Sequence, residues 1–462
     1  MNKKNIGFVL AIVIIIATYF MPAPEALGYA GKMSLGLLLA AVVLWVSETF
    51  PVSITGFLLM LLISFFGIKD LNSVFQSFIS PVIFFVIATF GITAIIMKTE
   101  LATRLAGILL KWAGGVSNKI VLAFMGGTAL LSAVMSDMAA TFLFLGIVYS
   151  LLKPLNAKPG ESNLGKCLML GVPLGAMAGG ASTPAGSALN MMAIDLLGQH
   201  YGMTISFLDW MVIGIPISII MVLTAWFFVT KILKPEDIAS DALVELETQI
   251  ANLGKLTFRE KKVLTLVTAM LICWVLGSWI PVLNTTTVAM VGLIIMFLPG
   301  VNLLEGNEFF AAVPWNIVLM IGSIQAFAAV ALETGAARFL TDSVLSITGG
   351  LGTFGVLAVL ATFLVLLHSV FPIGPAGVGL FLIPMADIGL QTGMFSPAVA
   401  AIMVALAFEA CYLLPLNPNI LITYNDGYYS MSDVIKPGVF ITFTYILLMV
   451  FWLPFIVSVL GL

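Results

Sequence analysis

Apolar residues run along this chain in long stretches separated by short polar joints, and the pattern repeats over nearly all of its 462 residues. The stretches approach the roughly 20 residues that a helix needs to cross a bilayer core. A membrane barrel would instead alternate apolar and polar positions in segments of about ten. In chain order the pattern predicts helices at 6–24, 32–48, 51–67, 80–98, 208–231, 260–281, 284–299, 314–333 and 436–460. It predicts helical hairpins at 118–152 and 350–388, and two helices, 164–198 and 397–423, that are each interrupted. The fold class is therefore an all-α polytopic membrane protein with about 11 transmembrane helices and two re-entrant hairpins. The first run, Ile6 to Phe20, follows Lys3 and Lys4 and has no small-residue cleavage site, so it reads as a retained helix.

The interruptions are the most informative positions. One is Ser182-Thr183-Pro184-Ala185-Gly186-Ser187-Ala188-Leu189-Asn190, and the other is Leu416-Asn417-Pro418-Asn419. Lipid offers no partner to a freed backbone amide, so a spanning helix breaks only where protein or a water-filled cavity satisfies those groups. Matching breaks in two halves mark the binding site of a secondary transporter. The tip of the first hairpin, from Ser132 through Ser136, Asp137 and Met138 to Thr141, clusters hydroxyls with one carboxylate. Such a tip offers oxygens to a hard cation and helix N-terminal amides to an anion. A polar surface turn is the plain alternative, weakened by the break at Thr183 and Pro184.

Composition agrees. The chain is 61% hydrophobic and 9% charged, against about 25% charged in soluble domains. Cys167, Cys273 and Cys411 lie far apart in apolar stretches without metal-ligand spacing and read as buried thiols. The net charge of -3 is spread thinly and gives no sign of a nucleic-acid partner. No nucleotide motif, paired metal-binding histidines or serine-histidine constellation suggests an enzyme or an organic cofactor. With a cytoplasmic N-terminus, 16 of the 19 basic residues fall on the cytoplasmic side, leaving Lys32, Lys69 and Arg338 outside. The one aqueous segment, Lys234 to Lys262, reads as a cytoplasmic linker between two halves. An offset of 234 pairs Ala102 with Ala336, Arg104 with Arg338 and Pro184 with Pro418. An odd number of crossings between equivalents makes the halves an inverted repeat. The expected units are a first helix in 1–31, a first repeat in 32–231, the linker in 232–259 and a second repeat in 260–462.

Four segments carry a family likeness: Trp45 to Gly56 (WVSETFPVSITG), Thr183-Pro184-Ala185-Gly186-Ser187 with Asn190, Val313-Pro314-Trp315 running to Glu333-Thr334-Gly335, and Gly427 to Lys436 (GYYSMSDVIK). In this order, over nearly the whole chain, they resemble the divalent anion/sodium symporters, which include sodium-dependent di- and tricarboxylate carriers and bacterial dicarboxylate exchangers. The resemblance implies a homodimer whose transport domain moves by an elevator mechanism against a scaffold. It also implies a Ser-Asn-Thr triplet at each hairpin tip, binding sodium and substrate carboxylate opposite a Thr-Pro motif. Here the first triplet falls on Ser136-Asp137-Met138, with Ser132 one turn earlier and the Ser182 carbonyl and Thr183 facing it. The resulting sodium candidates are Ser132, Ser136, Asp137 and Ser182. Asn has become Asp, so that carboxylate either holds sodium or carries a proton in its place. The second triplet falls on Gly374-Pro375-Ala376 or on Ser369-Val370-Phe371, and neither keeps the Asn. Its Thr-Pro counterpart is Asn417-Pro418-Asn419.

Three titratable groups lie at or near this presumed core: Asp137, His368 and Glu409, each a candidate for proton coupling because an ionisable residue inside a membrane is costly. The substrate candidates are Ser136, Asp137, Met138, Thr141, Thr183, Pro184, Gly186, His368, Ser369, Gly374, Pro375, Asn417, Pro418 and Asn419. Glu100 and Arg104, four apart, read as a pair on an interfacial helix with Lys111. The sequence thus predicts a secondary carrier of small organic anions, C4 or C5 dicarboxylates, in a bacterial inner membrane, in contact with lipid. Sodium symport, proton coupling and anion exchange remain open. The competing readings are a cation/proton antiporter, a passive anion channel and a carrier of an inorganic dianion such as sulfate.

Overall fold

The computed structural model describes residues 2–25, 27–237, 248, 252–348, 350–370 and 373–462, and the described residues are helical with no strand. The first half holds α1 (Lys3–Phe20), α2 (Gly28–Val46), α3 (Val52–Phe65), α4 (Leu71–Phe78), α5 (Pro81–Met97), α6 (Leu101–Ala113), α7 (Ser117–Ser132), α8 (Asp137–Leu152), α9 (Asn163–Gly180), α10 (Ala188–Tyr201) and α11 (Phe207–Leu233). The second holds α12 (Phe258–Leu276), α13 (Thr285–Phe297), α14 (Gly306–Ala312), α15 (Trp315–Glu333), α16 (Ala336–Thr348), α17 (Thr353–Val370), α18 (Gly374–Thr392), α19 (Pro397–Glu409), α20 (Pro418–Tyr424) and α21 (Met431–Leu447). A π turn at Leu448–Trp452 joins α21 to α22 (Leu453–Leu460).

With α1 set aside, the same series of ten elements occurs twice, α2–α11 and α12–α21. Packing follows the same exchange: α3 lies on α15 while α13 lies on α5, and α9 meets α20 while α10 meets α19.

Among the described residues, five helical runs are long and apolar enough to cross a bilayer: α1, α2, α11, α15 and Met431–Leu460. A sixth is α4 with α5, if their 41° bend is counted within one span. The remaining expected crossings fall on shorter pieces, or on α9 and α12, which are long but less apolar, and this is where the expected count of eleven departs from the observed helices. For 164–198 and 397–423 the cause is the break itself, whereas α3 and α13 are short without one. A 13-residue half-helix such as α19 rises about 20 Å, short of the roughly 30 Å hydrocarbon thickness, and needs its continuation beyond the break.

The linker is anchored where it leaves α11. The Ser117 hydroxyl donates to the Glu236 carbonyl at 2.8 Å, the Ser162 hydroxyl to the Glu236 carboxylate at 2.5 Å, and the Leu164 amide to its other oxygen at 2.8 Å. Burial pushes this carboxyl up, but the Ser162 hydroxyl and the surrounding amides outweigh it and hold it below the usual carboxylate range. An ionised Glu236 thus sits at the N-terminus of α9, where the helix dipole favours negative charge. Residues 238–247 and 249–251 of the expected linker lie outside the described residues.

The interfacial helix corrects one expected pair. Glu100 accepts from the Thr103 hydroxyl at 2.8 Å, and Arg104 reaches away to Glu260 at 2.8 Å and to the carbonyls of Leu253, Gly254 and Lys255. The bidentate geometry, with Glu260 at 2% exposure, makes this a buried clasp that an i to i+4 surface pair could not match. Replacing Arg104 by Ala leaves that carboxylate unpaired. The expected loss is about 3 kcal/mol of stability, read as a lowered melting temperature in detergent, and the double replacement with Glu260→Gln should recover part of it. An unchanged melting temperature in the single variant would show that the clasp holds nothing.

Candidate functional site

The site is built around two hairpin tips and two helix breaks. In the first half α7 and α9 approach closely because Gly175 and Gly179, four apart, face them. A Cβ on either would stand 2.3 or 2.2 Å from the carbonyl oxygen of Met125 or Ala129. Small residues at this spacing let helix backbones touch in a membrane. α9 then ends at Gly180, and four carbonyls between Gly179 and Thr183 are met. The Ser182 hydroxyl donates to the Gly179 carbonyl at 2.5 Å, and the Trp210 indole donates to the Ala181 carbonyl at 3.1 Å. The fully buried Asn190 donates to the carbonyls of Gly180 and Thr183, both at 2.9 Å.

Thr183 ties the break to the hairpin. Its hydroxyl donates to the Ala133 carbonyl at 2.5 Å and accepts from the amides of Ala185 and Gly186 at 3.1 Å. Gly186 passes through a gap that admits no side chain: a Cβ there would lie 2.5 Å from the Gly180 carbonyl oxygen and 2.9 Å from that of Ser132. α8 opens on Asp137, whose carboxylate accepts from the Met138 amide at 2.8 Å.

In the second half Asn417 caps α20 by accepting from the Asn419 amide at 2.9 Å. Two side-chain bonds then cross between the halves. The Asn419 side-chain amide donates to the Asp137 carboxylate, and the Ser187 hydroxyl donates to the Glu409 carboxylate. Glu409 is 6% exposed and Asn419 4%. Each acid is thus held by a neutral donor from the other half.

Both acids line a cavity of about 390 Å³, within the roughly 300–1,000 Å³ of small-molecule sites. Its walls are Ser136, Asp137, Met138 and the Gly186–Leu189 segment from the first half, and His368, Gly374, Pro375, Phe408, Glu409 and Asn417–Asn419 from the second. α3, α5 and α15 close the remaining side through Val52, Thr89, Phe90, Thr93, Pro314 and Met320. Among the described lining residues there is no lysine or arginine. Buried charge without a partner is strongly disfavoured, so a bound anion must be met by amides, hydroxyls and an accompanying cation or proton.

The chain matches the family described as the sodium:sulfate symporter transmembrane region over residues 2–460. It belongs to that family. Proteins similar to this chain include the sodium-dependent dicarboxylate transporter SdcS of Staphylococcus saprophyticus, 23% identical over 483 residues that cover 99% of this chain and 92% of that protein. SdcS of Staphylococcus aureus is 22% identical over 458 residues, covering 94% of this chain and 87% of that one. Among solved structures, the YdaH transporter of Alcanivorax borkumensis superposes with a TM-score of 0.57 at 11% identity, over 83% of this chain and 86% of that one. This sodium:sulfate symporter family chain is therefore a multi-span membrane transporter and not an enzyme.

Of the residues expected at the site, Ser136, Asp137, Met138, Gly186, His368, Gly374, Pro375, Glu409, Asn417, Pro418 and Asn419 line the one cavity. Ser132, Thr141, Ser182, Thr183, Pro184 and Ser369 do not. Thr141 is buried with its hydroxyl on the Asp137 carbonyl at 2.9 Å, and Ser369 donates to the Val365 carbonyl at 2.8 Å. Thr183 and Ser182 hold the break shut. Ser132 is fully buried and its hydroxyl finds no partner among the described residues. His368 stands edge-on to Phe408, ring centroids 5.4 Å apart. Phe371, in one placement of the second triplet, lies outside the described residues.

Sequence reasoning left out Thr89 and Thr93, and it named Ser187 in the break without counting it among the substrate candidates. The two threonines are four apart in the otherwise apolar α5, a one-faced polar signal that was present in the sequence. Thr93 accepts from the Ser136 amide at 3.3 Å.

Removing Ser187 tests the crossed bonds. Ser187→Ala leaves the buried Glu409 carboxyl without its hydrogen-bond partner, and an unsatisfied buried polar group costs about 1–3 kcal/mol. Transport by the variant should fall about ten-fold or more with the fold retained by circular dichroism, and Ser187→Thr should restore it. Wild-type rates in Ser187→Ala would show that the bond is idle.

Proposed function

We propose that this carrier moves C4 and C5 dicarboxylates by alternating access, with sodium as the coupled ion. The observation that carries the reading is the cavity itself. It lies where both hairpin tips meet both helix breaks, is lined by both halves, and offers neutral donors without a fixed cation. The two Staphylococcus relatives, both sodium-dependent dicarboxylate transporters, support the choice of ion and of dianion. A sulfate-sized anion would use less of the 390 Å³.

The sodium site is assigned to Ser132, Ser136, Asp137 and the Ser182 carbonyl. Two fully buried oxygens without a hydrogen-bond partner among the described residues support it, Ser132 Oγ and Asn190 Oδ1. The Ser132 carbonyl and the Asn190-bound Gly180 carbonyl both close on Gly186, so these residues share one neighbourhood. Oxygen-rich surroundings of this kind suit a hard cation. Asp137 contributes the negative charge that draws the cation in, and the cation in turn offsets the substrate carboxylate.

In this reading the two series of ten elements are inverted halves, 32–231 and 260–462, joined by 232–259. The hairpins and broken helices travel together past α3, α5 and α15, in a homodimer, in a bacterial inner membrane with the N-terminus cytoplasmic. Asp137, His368 and Glu409 face the cavity together, so proton coupling through them is the competing scheme.

Uptake of labelled succinate into proteoliposomes, with sodium and pH set independently on each side, tests this. An inward sodium gradient should drive uptake, preloaded dicarboxylate should accelerate it, and sulfate should compete poorly. Asp137→Asn should raise the half-saturating sodium concentration about ten-fold, as expected for loss of one charge-assisted contact. Uptake driven by a pH gradient without sodium would replace sodium by protons. Identical sodium and pH dependence in Asp137→Asn would remove the carboxylate from coupling altogether.

A further inference from the structure

A second concavity of about 660 Å³ lies outside the transport site, between α6, the end of α7 and the start of α12. Its walls are apolar along their length, through Leu105, Ile108, Leu131, Leu264 and Val267. Ile108 is 67% exposed and Leu264 40%, so nothing among the described residues covers them fully. Its inner end reaches Val134, in the tip of the first hairpin.

The polar lining carries the decisive feature. Arg104 lines the cavity, but its guanidinium is committed to Glu260 and three carbonyls. Lys111, seven residues on and therefore on the same helix face, lines the same cavity, is exposed and has no ion pair among the described residues. Lys255, Arg259, Lys261 and Lys262 lie in the adjoining segment of the sequence. A long apolar trough with one uncompensated cation at its rim, on an amphipathic helix, has the charge and shape complement of a single lipid molecule.

We propose that this concavity binds a phospholipid with an anionic headgroup, its phosphate at Lys111 and an acyl chain along Leu105, Ile108 and Val267 toward Val134. The lipid would rest on the outer side of the hairpin tip whose inner side forms the transport cavity. Site and substrate are then separate, and loss of either leaves the other intact.

Native mass spectrometry of the full chain released from micelles containing equal phosphatidylglycerol and phosphatidylcholine tests the assignment. Wild type should retain one phosphatidylglycerol in preference. Lys111→Ala should lower that preference about five-fold, the effect of about 1 kcal/mol for one lysine near an anionic headgroup, and Leu264→Trp, which fills the trough without touching the charge, should lower it too. Lys119→Ala, an exposed lysine outside the cavity, should leave it unchanged. Equal retention of the two lipids by wild type, or a loss in Lys119→Ala as large as in Lys111→Ala, would overturn the site. A melting temperature that rises in phosphatidylglycerol liposomes for wild type, and not for Leu264→Trp, provides the second readout.

Discussion

Everything at the centre of this molecule depends on the cost of a free carbonyl in a medium without water. Breaking α9 leaves backbone oxygens that lipid cannot satisfy. Asn190 meets two of them with one side-chain amide, and Ser182 and Trp210 meet two more. Because those donors are buried and fixed, the chain between Gly180 and Ala188 is held irregular yet well defined. Only a segment of that kind can present Gly186 and Ser187 to a cavity at the level of the hairpin tips. The polar residues of the break thus serve structure first, and the site exists because the structural debt is settled within the break.

The second constraint is electrostatic. Asp137 and Glu409 are deep in an apolar molecule, and each leans on a neutral donor contributed by the opposite half. Neither has a lysine or arginine to neutralise it among the described residues lining the cavity. A site so arranged is incomplete as a resting home for an anion and becomes hospitable only when a positive species accompanies it. Coupling follows from charge balance at the site as much as from any motion of the fold.

The fold class was legible because lipid turns hydropathy into topology, and the two expected interruptions, read from proline position, fall between α9 and α10 and between α19 and α20. Asp137, Glu409 and Asn419 were legible as polar residues where polarity is costly. What the sequence could not show was which oxygens face inward. Thr183 and Ser182 carry the expected chemistry but spend it on backbone, whereas Thr89 and Thr93, looking like incidental threonines in an apolar helix, line the cavity. Arg104 had a partner four residues away that sequence spacing favoured. The buried Glu260, distant in sequence, won because it is bidentate and out of water.

The hairpin tip also differs in stiffness from one side to the other. Toward α9 it is locked by the Thr183 hydroxyl at 2.5 Å and by backbones in contact at Gly179. Toward α5 it rests on a 3.3 Å bond from the Ser136 amide to Thr93, at the weak end of hydrogen-bond lengths. Under load a body bonded in this way shears along its soft seam. The seam here runs along the cavity wall, where Ser136 and Thr93 meet.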